Sequence, residues 1–485
     1  MPMPPAVQAR TPSGFLKPAL RNRSESRERT ADVALSSEPP KTNLLKKLVW
    51  VYFWLLIGEG ALRKWWLPQF SAPLLIIRDP VIILIFFLAH QKGLIPQQPL
   101  YRFLIFQAAA GIALMLAQLV LLKLPPFVLL YGYRSLFLHF PLIFLLPLIF
   151  DYHDIVRLGR WILFLSIPMA ILMAYQFNSP IDAWINRTVG MTGTFQLASA
   201  LGKIRPPGTF SFISGPVAFF SLVTAFVGYG LVSHRKLFPR WLLVGAAISI
   251  GLAVAVSGSR ATILSGGIVV GAWILGAVAG QRVSSAVANS LIIVLIATFV
   301  LGQIDLFHEG TEVLTERFEL GRGVEAEQGG ISGRFLRELL APLRMIDQIP
   351  LFGAGLGVGT NVGATILTGK MQFLLSEGEW GRNVIEMGPF FGFLFVALRV
   401  GLTVKLGRDS LQAARKAHLL PLLLFSACAA SVFSGQIAQP TTLGFTVLGA
   451  GLCLAALTHL PARVAEPERP APKQFVLPSR GLPKL

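Results

Sequence analysis

Cysteine is nearly missing from this chain, and acidic residues are scarce. The two cysteines, Cys428 and Cys453, are too few for a disulfide framework and sit in apolar segments without metal-ligand spacing, so they read as packing residues. Charged residues make up only 14%, which is too little polar surface for a soluble domain of this size. Also missing are a glycine loop closed by Lys-Ser/Thr, a strand-helix frame for a dinucleotide fingerprint, and any cluster of His, Cys and acids that could ligate a metal. Nothing in the sequence therefore calls for a nucleotide, a metal or any other cofactor. Residues 1–47 are polar and rich in Pro, Ser and Arg, with no apolar core of the length a cleaved signal peptide needs. They are expected to form a disordered cytoplasmic tail.

What the chain has in quantity is apolar sequence: 53% hydrophobic residues and a mean hydropathy of +0.63. Runs long enough to cross a bilayer begin near residue 47 and recur at 73–90, 103–122, 127–150, 161–177, 210–232, 241–257, 261–279, 286–303, 384–400, 419–435 and 441–459. The expectation is an all-α polytopic membrane protein of about twelve transmembrane helices. Nine lie within 48–303 and three within 384–459, with a large loop at 304–383 between helices 9 and 10 and a second tail at 460–485. Lys and Arg number 43 against 24 acids, a net charge of +19. In a soluble protein that excess would suggest nucleic acid; here the positive-inside rule explains it, and no nucleic-acid partner is expected. With both termini cytoplasmic, the basic clusters at Arg157 and Arg160, 234–240, Arg282 and 399–416 all fall inside. Arg63, Lys64 and Lys123 depart from that pattern. The loops 178–209 and 301–382 are then external. The paired Trp65 and Trp66 read as an interfacial anchor.

The large loop is the one long polar insertion. Within it Arg334, Arg337 and Arg344 share one edge of a helix opposite Phe335, Leu336, Leu339, Leu340 and Leu343, at about 100° per residue. Such a helix lies along a membrane surface, with a kink expected near Glu338 from Pro342. The run 350–359 carries glycine at every second position near its end; it could bring amides close to an anion, although tight packing or a turn is the plainer reading. Arg205-Pro-Pro-Gly-Thr-Phe-Ser leads into the sixth run and Ser257-Gly-Ser-Arg260 closes the seventh. Both arginines thus fall at the outer ends of spans, and a planar guanidinium suits phosphate. Taken singly, each could instead reach up to lipid headgroups. Arg78 and Asp79 lie inside the second run, where an unpaired charge costs roughly 3 kcal/mol, so they must pair or face a polar cavity.

The Arg205 to Ser211 element, Ser-Gly-Ser-Arg260, Gly333-Arg334, the 350–357 glycine run and the 377–388 segment, in that order along a multi-span frame, resemble the O-antigen ligase and Wzy-type polysaccharide polymerase family. The resemblance covers about residues 151–399 by motif and the remainder by topology. It implies a metal-independent glycosyltransferase of the bacterial inner membrane that takes glycan from an undecaprenyl pyrophosphate-linked donor at the periplasmic face. The acceptor would be a glycan or a lipid-linked glycan, with membrane lipids and other polysaccharide-assembly proteins as further partners. Arg260 and Arg334 would hold the pyrophosphate, with Arg205 and Arg337 as further candidates. Ligases of the family carry a histidine after the glycine run, and none stands there in this chain. Glu377, Glu379 and Glu386 are the ionisable groups nearby, and one could deprotonate the acceptor hydroxyl. Alternatively they pair with Arg382, three residues after Glu379 and four before Glu386. The missing histidine favours a polymerase over a lipid A ligase. Two other readings stay open: a transporter or flippase of lipid-linked sugars, with Arg78, Asp79, Arg134 and His139 lining a path, and a non-catalytic scaffold.

Overall fold

The computed structural model describes residues 42–189, 201–233, 237–279, 299–327, 330–370 and 372–460, together with Ile292 and Ile296. The expected ninth span, most of both tails, the basic residues 234–236 and Arg282 lie wholly or largely outside the described residues. Among those described, all regular structure is helical. Six helices are long and apolar enough to cross a membrane, or seven if the bent pair Pro126–Leu138 and Leu142–Ile149 forms one span. Three shorter apolar helices, Arg240–Val256, Arg260–Gly276 and Leu420–Ser434, accompany them, a set that suits a multi-pass membrane protein.

In chain order the main helices are α1 (Asn43–Ala61), α2 (Asp79–Gln91), α3 (Pro99–Leu122), α4 (Pro126–Tyr133), α5 (Leu142–Ile149), α6 (Tyr152–Asn178), α7 (Ser214–Val232), α8 (Arg240–Val256) and α9 (Arg260–Ala279). They are followed by α10 (Asp305–Glu327), α11 (Gly330–Arg344), α12 (Asn361–Thr368), α13 (Glu379–Arg415), α14 (Leu420–Ser434) and α15 (Pro440–Thr458). α15 sits at the centre of the bundle, with 78% of its apolar window buried, whereas α3 and the span ending in α2 bury 28% each. Small residues let neighbours approach α15 closely. A Cβ on Gly449 would stand 2.8 Å from Cys428 Cβ, and one on Gly451 2.9 Å from Leu146 Cδ2. Cys428 and Cys453 are both buried in this core. On the periphery Ile83, Phe87, Phe106, Leu116 and Val120 point outward, as apolar side chains do when the surrounding solvent is lipid.

Three spans are interrupted, each at residues the hydrophobic pattern passed over. The second run breaks into turns at 75–78, so that Asp79 opens α2, where the helix N-terminus favours a carboxylate. The fourth continues from α4 through a π-helical turn, Arg134–Leu138, and then bends by 42° before α5. α13 changes direction at Gly388, whose φ of 79° and ψ of 165° only glycine adopts readily, immediately ahead of Pro389. By contrast, α11 runs as one element through its last turn with Pro342 inside it.

The two ends of the bundle are marked by side-chain ties. At one, Lys46 at the start of α1 bonds Asp151 at 3.1 Å and Asp154 at 2.8 Å at the start of α6. Burial opposes ionisation of Asp151, but the Asp154 amide and the Lys46 ammonium outweigh it and hold that carboxyl below its usual range. At the other end the finish of α1 and α6 meets the start of α7, α13 and α15. That second end carries nearly all of the buried charge.

Candidate functional site: a polar layer at one end of the bundle

The layer has two halves. The first is built on α1, α2 and α4. Glu59 accepts from Arg63 Nη1 at 3.3 Å and from Arg78 Nε at 3.0 Å. Arg78 also donates to Tyr52 Oη at 3.4 Å and to the Pro440 carbonyl at 2.6 Å. Tyr52 Oη lies 3.2 Å from His139 Nδ1, and His139 Nε2 lies 3.0 Å from Asp79 Oδ1. Arg134 then grips both oxygens of Asp79, its Nη2 at 2.8 Å, and reaches the Leu75 carbonyl freed by the broken turn at 3.3 Å. Arg78 and Asp79 are thus paired, though with Glu59 on α1 and with Arg134 and His139 beyond the end of α4 rather than with each other. The breaks in the second and fourth runs serve this network, placing side chains or a freed carbonyl where the buried charges need partners.

The Arg205 to Ser211 segment packs onto this half. Gly208, at φ +60°, donates its amide to Gln176 Oε1 at 2.8 Å, while its carbonyl accepts from Lys64 Nζ at 2.6 Å. Thr209 Oγ1 donates to the Ile57 carbonyl at 2.7 Å. Gly60 of α1 makes that docking possible, because any Cβ there would collide with the backbone of 209–211. Trp65 stacks on Trp184 and donates to the Ile185 carbonyl at 3.2 Å, so one tryptophan of the pair fastens this turn while Trp66 stays exposed.

The second half is built on α13. Arg382 donates Nη2 to Glu379 at 2.6 Å and Nη1 to Glu386 at 2.7 Å. Arg399 meets Glu379 at 3.4 Å and donates to the carbonyls of Ser431 and Val432, both at 2.9 Å, and of Gly435 at 2.8 Å. The 3-and-4 spacing read from the sequence is therefore an ion-pair ladder, and Glu379, Arg382 and Glu386 are all buried. Glu377, two residues before Glu379 and ahead of the helix, is exposed. The glycine run docks here. Gly359 donates its amide to Glu386 Oε1 at 2.9 Å, and Leu356 donates to Gln118 Oε1 at 2.8 Å. Gln118 Nε2 in turn holds the carbonyls of Phe352 at 2.6 Å and Glu386 at 2.8 Å. The amides of Gly353, Ala354 and Gly355 go to carbonyls at 2.8, 2.8 and 3.3 Å. With the amides of Gly353, Ala354, Gly355, Leu356, Val358 and Gly359 bonded within the protein and a Cβ on Gly357 set to collide with Val128 of α4, the run serves close packing.

The remaining site residues predicted from the sequence border the same end. Arg205 and Arg260 are both half-buried. The first turns of α10 touch both segments. Lys203 pairs with Glu309 at 2.6 Å, and Gly310 lies so close to the end of α8 that a Cβ would stand 2.9 Å from the Ala255 carbonyl carbon. α11 packs on α13, leaving Leu336, Leu340, Leu343 and Arg344 exposed. The side chains of Arg334 and Arg337 lie outside the described residues. Sequence reasoning did not anticipate Glu59, Gln118 and Arg399 as members of the layer. The available signal was a polar side chain interrupting an apolar run, which identifies a need for a partner without naming it.

No model of a known protein family matches the chain, and no curated protein does.

Proposed function

We propose that this chain is a glycosyltransferase of the bacterial inner membrane that polymerises or ligates glycans from an undecaprenyl pyrophosphate-linked donor at the periplasmic face, with polymerisation favoured. The observation that carries the reading is the gathering of motifs far apart in sequence at one end of the bundle. Arg205 to Ser211, Ser257 to Arg260, the glycine run and the 377–386 carboxylates all lie there, beside an amphipathic helix whose leucines are exposed. In this reading about twelve spans and two cytoplasmic tails put that end outside the cell.

The chemistry asked of the chain is modest. The acceptor hydroxyl oxygen attacks the anomeric carbon, the bond from that carbon to the pyrophosphate oxygen breaks, and the electron pair leaves with the lipid pyrophosphate. Guanidinium groups from Arg260 and Arg334, with Arg205 and Arg337 beside them, stabilise the charge that develops on the leaving group. Glu377 is the exposed one of the three carboxylates at this end and the one best placed to take the acceptor's proton. Glu379 and Glu386 hold the scaffold through Arg382.

The transporter reading needs charges lining a path across the membrane. The charges of α1, α2 and α4 instead tie into Ser211, Gly208 and Pro440 at one end, which supports the enzyme. Cells lacking the chain are expected to accumulate short undecaprenyl-linked units already exposed to the periplasm, read by labelling from outside. Units stranded on the cytoplasmic side would overturn the enzyme reading in favour of a flippase.

A further inference from the structure

At the end of the bundle away from the polar layer, α1 and α6 start side by side and run parallel, and their contacts recur in step. Lys46 bonds Asp151 and Asp154. One turn on, the Arg157 guanidinium lies 5.7 Å over the ring of Trp50. After a further turn Trp54 meets Trp161 edge to face at 5.2 Å, and Phe164 extends the row 5.9 Å from Trp161. This seam opens outward: Trp54, Trp161 and Phe164 are exposed and Trp50 is half-buried. Lys47, Arg157 and Arg160, all exposed, stand at its head. Lys47 shares a face of α1 with Trp50, three positions on, and Arg157 shares one of α6 with Trp161, four positions on. Asp151 and Asp154 are committed to Lys46, so these three cations have no carboxylate partner among the described residues. Arg160 donates Nε to the Leu237 carbonyl at 3.0 Å, and Arg157 rests on the Trp50 ring. Both guanidiniums are thus held in place without being neutralised.

We infer that this seam holds an anionic phospholipid of the leaflet at this end, its phosphate against Arg157 and Lys47 with Arg160 beside them, and an acyl chain along Trp54, Trp161 and Phe164. The positive-inside rule accounts for cations at such an end, but it asks only for charge. Here the cations continue into an aromatic row. From Arg157 to Phe164 the helix descends about 10 Å, enough to pass from headgroup depth into the hydrocarbon. Tryptophan favours that boundary, and basic side chains grouped between helices recognise anionic headgroups. A free anion would use the cations and leave the aromatic row idle. A zwitterionic lipid brings a cation of its own, which Lys47 and Arg157 repel. The seam lies at the opposite end from Arg205, Arg260 and the carboxylates of α13, and the inference is independent of the chemistry proposed there.

Tryptophan fluorescence of the intact protein in phosphatidylcholine nanodiscs tests it, with a small fraction of the lipid replaced by phosphatidylglycerol brominated on its acyl chains. The brominated phosphatidylglycerol is expected to quench saturably and beyond brominated phosphatidylcholine at the same mole fraction. Arg157→Gln, at an exposed position, should raise the mole fraction needed by about fivefold, and Lys47→Gln added to it by about fivefold again, the usual worth of one basic side chain near an anionic surface. Replacing Trp54 and Trp161 by phenylalanine should remove most of the excess quenching, which places the lipid on the seam. Lys416→Gln removes a charge at the same end, where α13 finishes, and should leave the excess unchanged. Inorganic phosphate should leave it unchanged too. Equal quenching by the two brominated lipids would overturn the inference. So would an excess that survives loss of both tryptophans, one that Lys416→Gln weakens as much as Arg157→Gln does, or one that inorganic phosphate abolishes.

Discussion

Arg260→Ala should lower glycan transfer by about 10²- to 10³-fold with the protein still inserted and expressed, the usual loss when one preorganised contact to a developing negative charge is removed. Arg260→Lys should be nearly as damaging. An ammonium restores the charge, but it does not restore the planar fork that holds two phosphate oxygens at once. The same pair of substitutions at Arg334 should behave alike if that residue shares the leaving group. The measurement is polymer length and amount in complemented cells, normalised to protein in the membrane fraction. Normal polymer with alanine at both positions would remove the pyrophosphate arginines from the mechanism.

The second large effect is on stability. Arg382→Met is expected to destabilise the protein by about 3–5 kcal/mol, because it leaves Glu379 and Glu386 buried with most of their compensation gone. Arg399 would still meet Glu379, but at 3.4 Å and from a guanidinium already engaged with three carbonyls. Glu386 would keep backbone amides of the glycine run, that of Gly359 at 2.9 Å among them, and no guanidinium among the described residues. Adding Glu379→Gln and Glu386→Gln to Arg382→Met should recover much of the loss, since neutral amides are far cheaper to bury than carboxylates. Thermal unfolding in detergent reads both steps. An Arg382→Met protein as stable as the parent would mean that water or substrate reaches these carboxylates, and it would return Glu379 and Glu386 to the list of acceptor bases.

The apolar spans were legible because a bilayer demands about 20 apolar residues per crossing whatever they pack against. Thus the run 103–122 became α3, and 441–459 became α15, within a few residues. The ladder on α13 was legible for a local reason, since positions three and four apart share a helix face. The breaks at 75–78 and 139–141 were not. Hydropathy averages over a window, and a turn of three or four mostly apolar residues leaves that average high, whether its carbonyls go to a distant side chain, as Leu75's does to Arg134, or to local amides, as those of 139–141 do. Nor could spacing say that Arg78 would find Glu59, or Asp79 find Arg134 and His139, because those distances exist only once the helices are assembled. The glycine run shows a third kind of limit. Alternate glycines serve an anion loop and a close backbone contact equally well, and the choice was made by Gln118 and Glu386, residues far from the run in sequence that take or cap its backbone groups.

The most direct test is transfer by the purified protein. Reconstituted with an undecaprenyl pyrophosphate-linked glycan as donor and a glycan acceptor, in EDTA and without nucleotide, the parent protein is predicted to yield lengthened or transferred glycan and free undecaprenyl pyrophosphate. Absence of transfer from a folded preparation, or transfer that begins only when a divalent ion is supplied, would contradict the account.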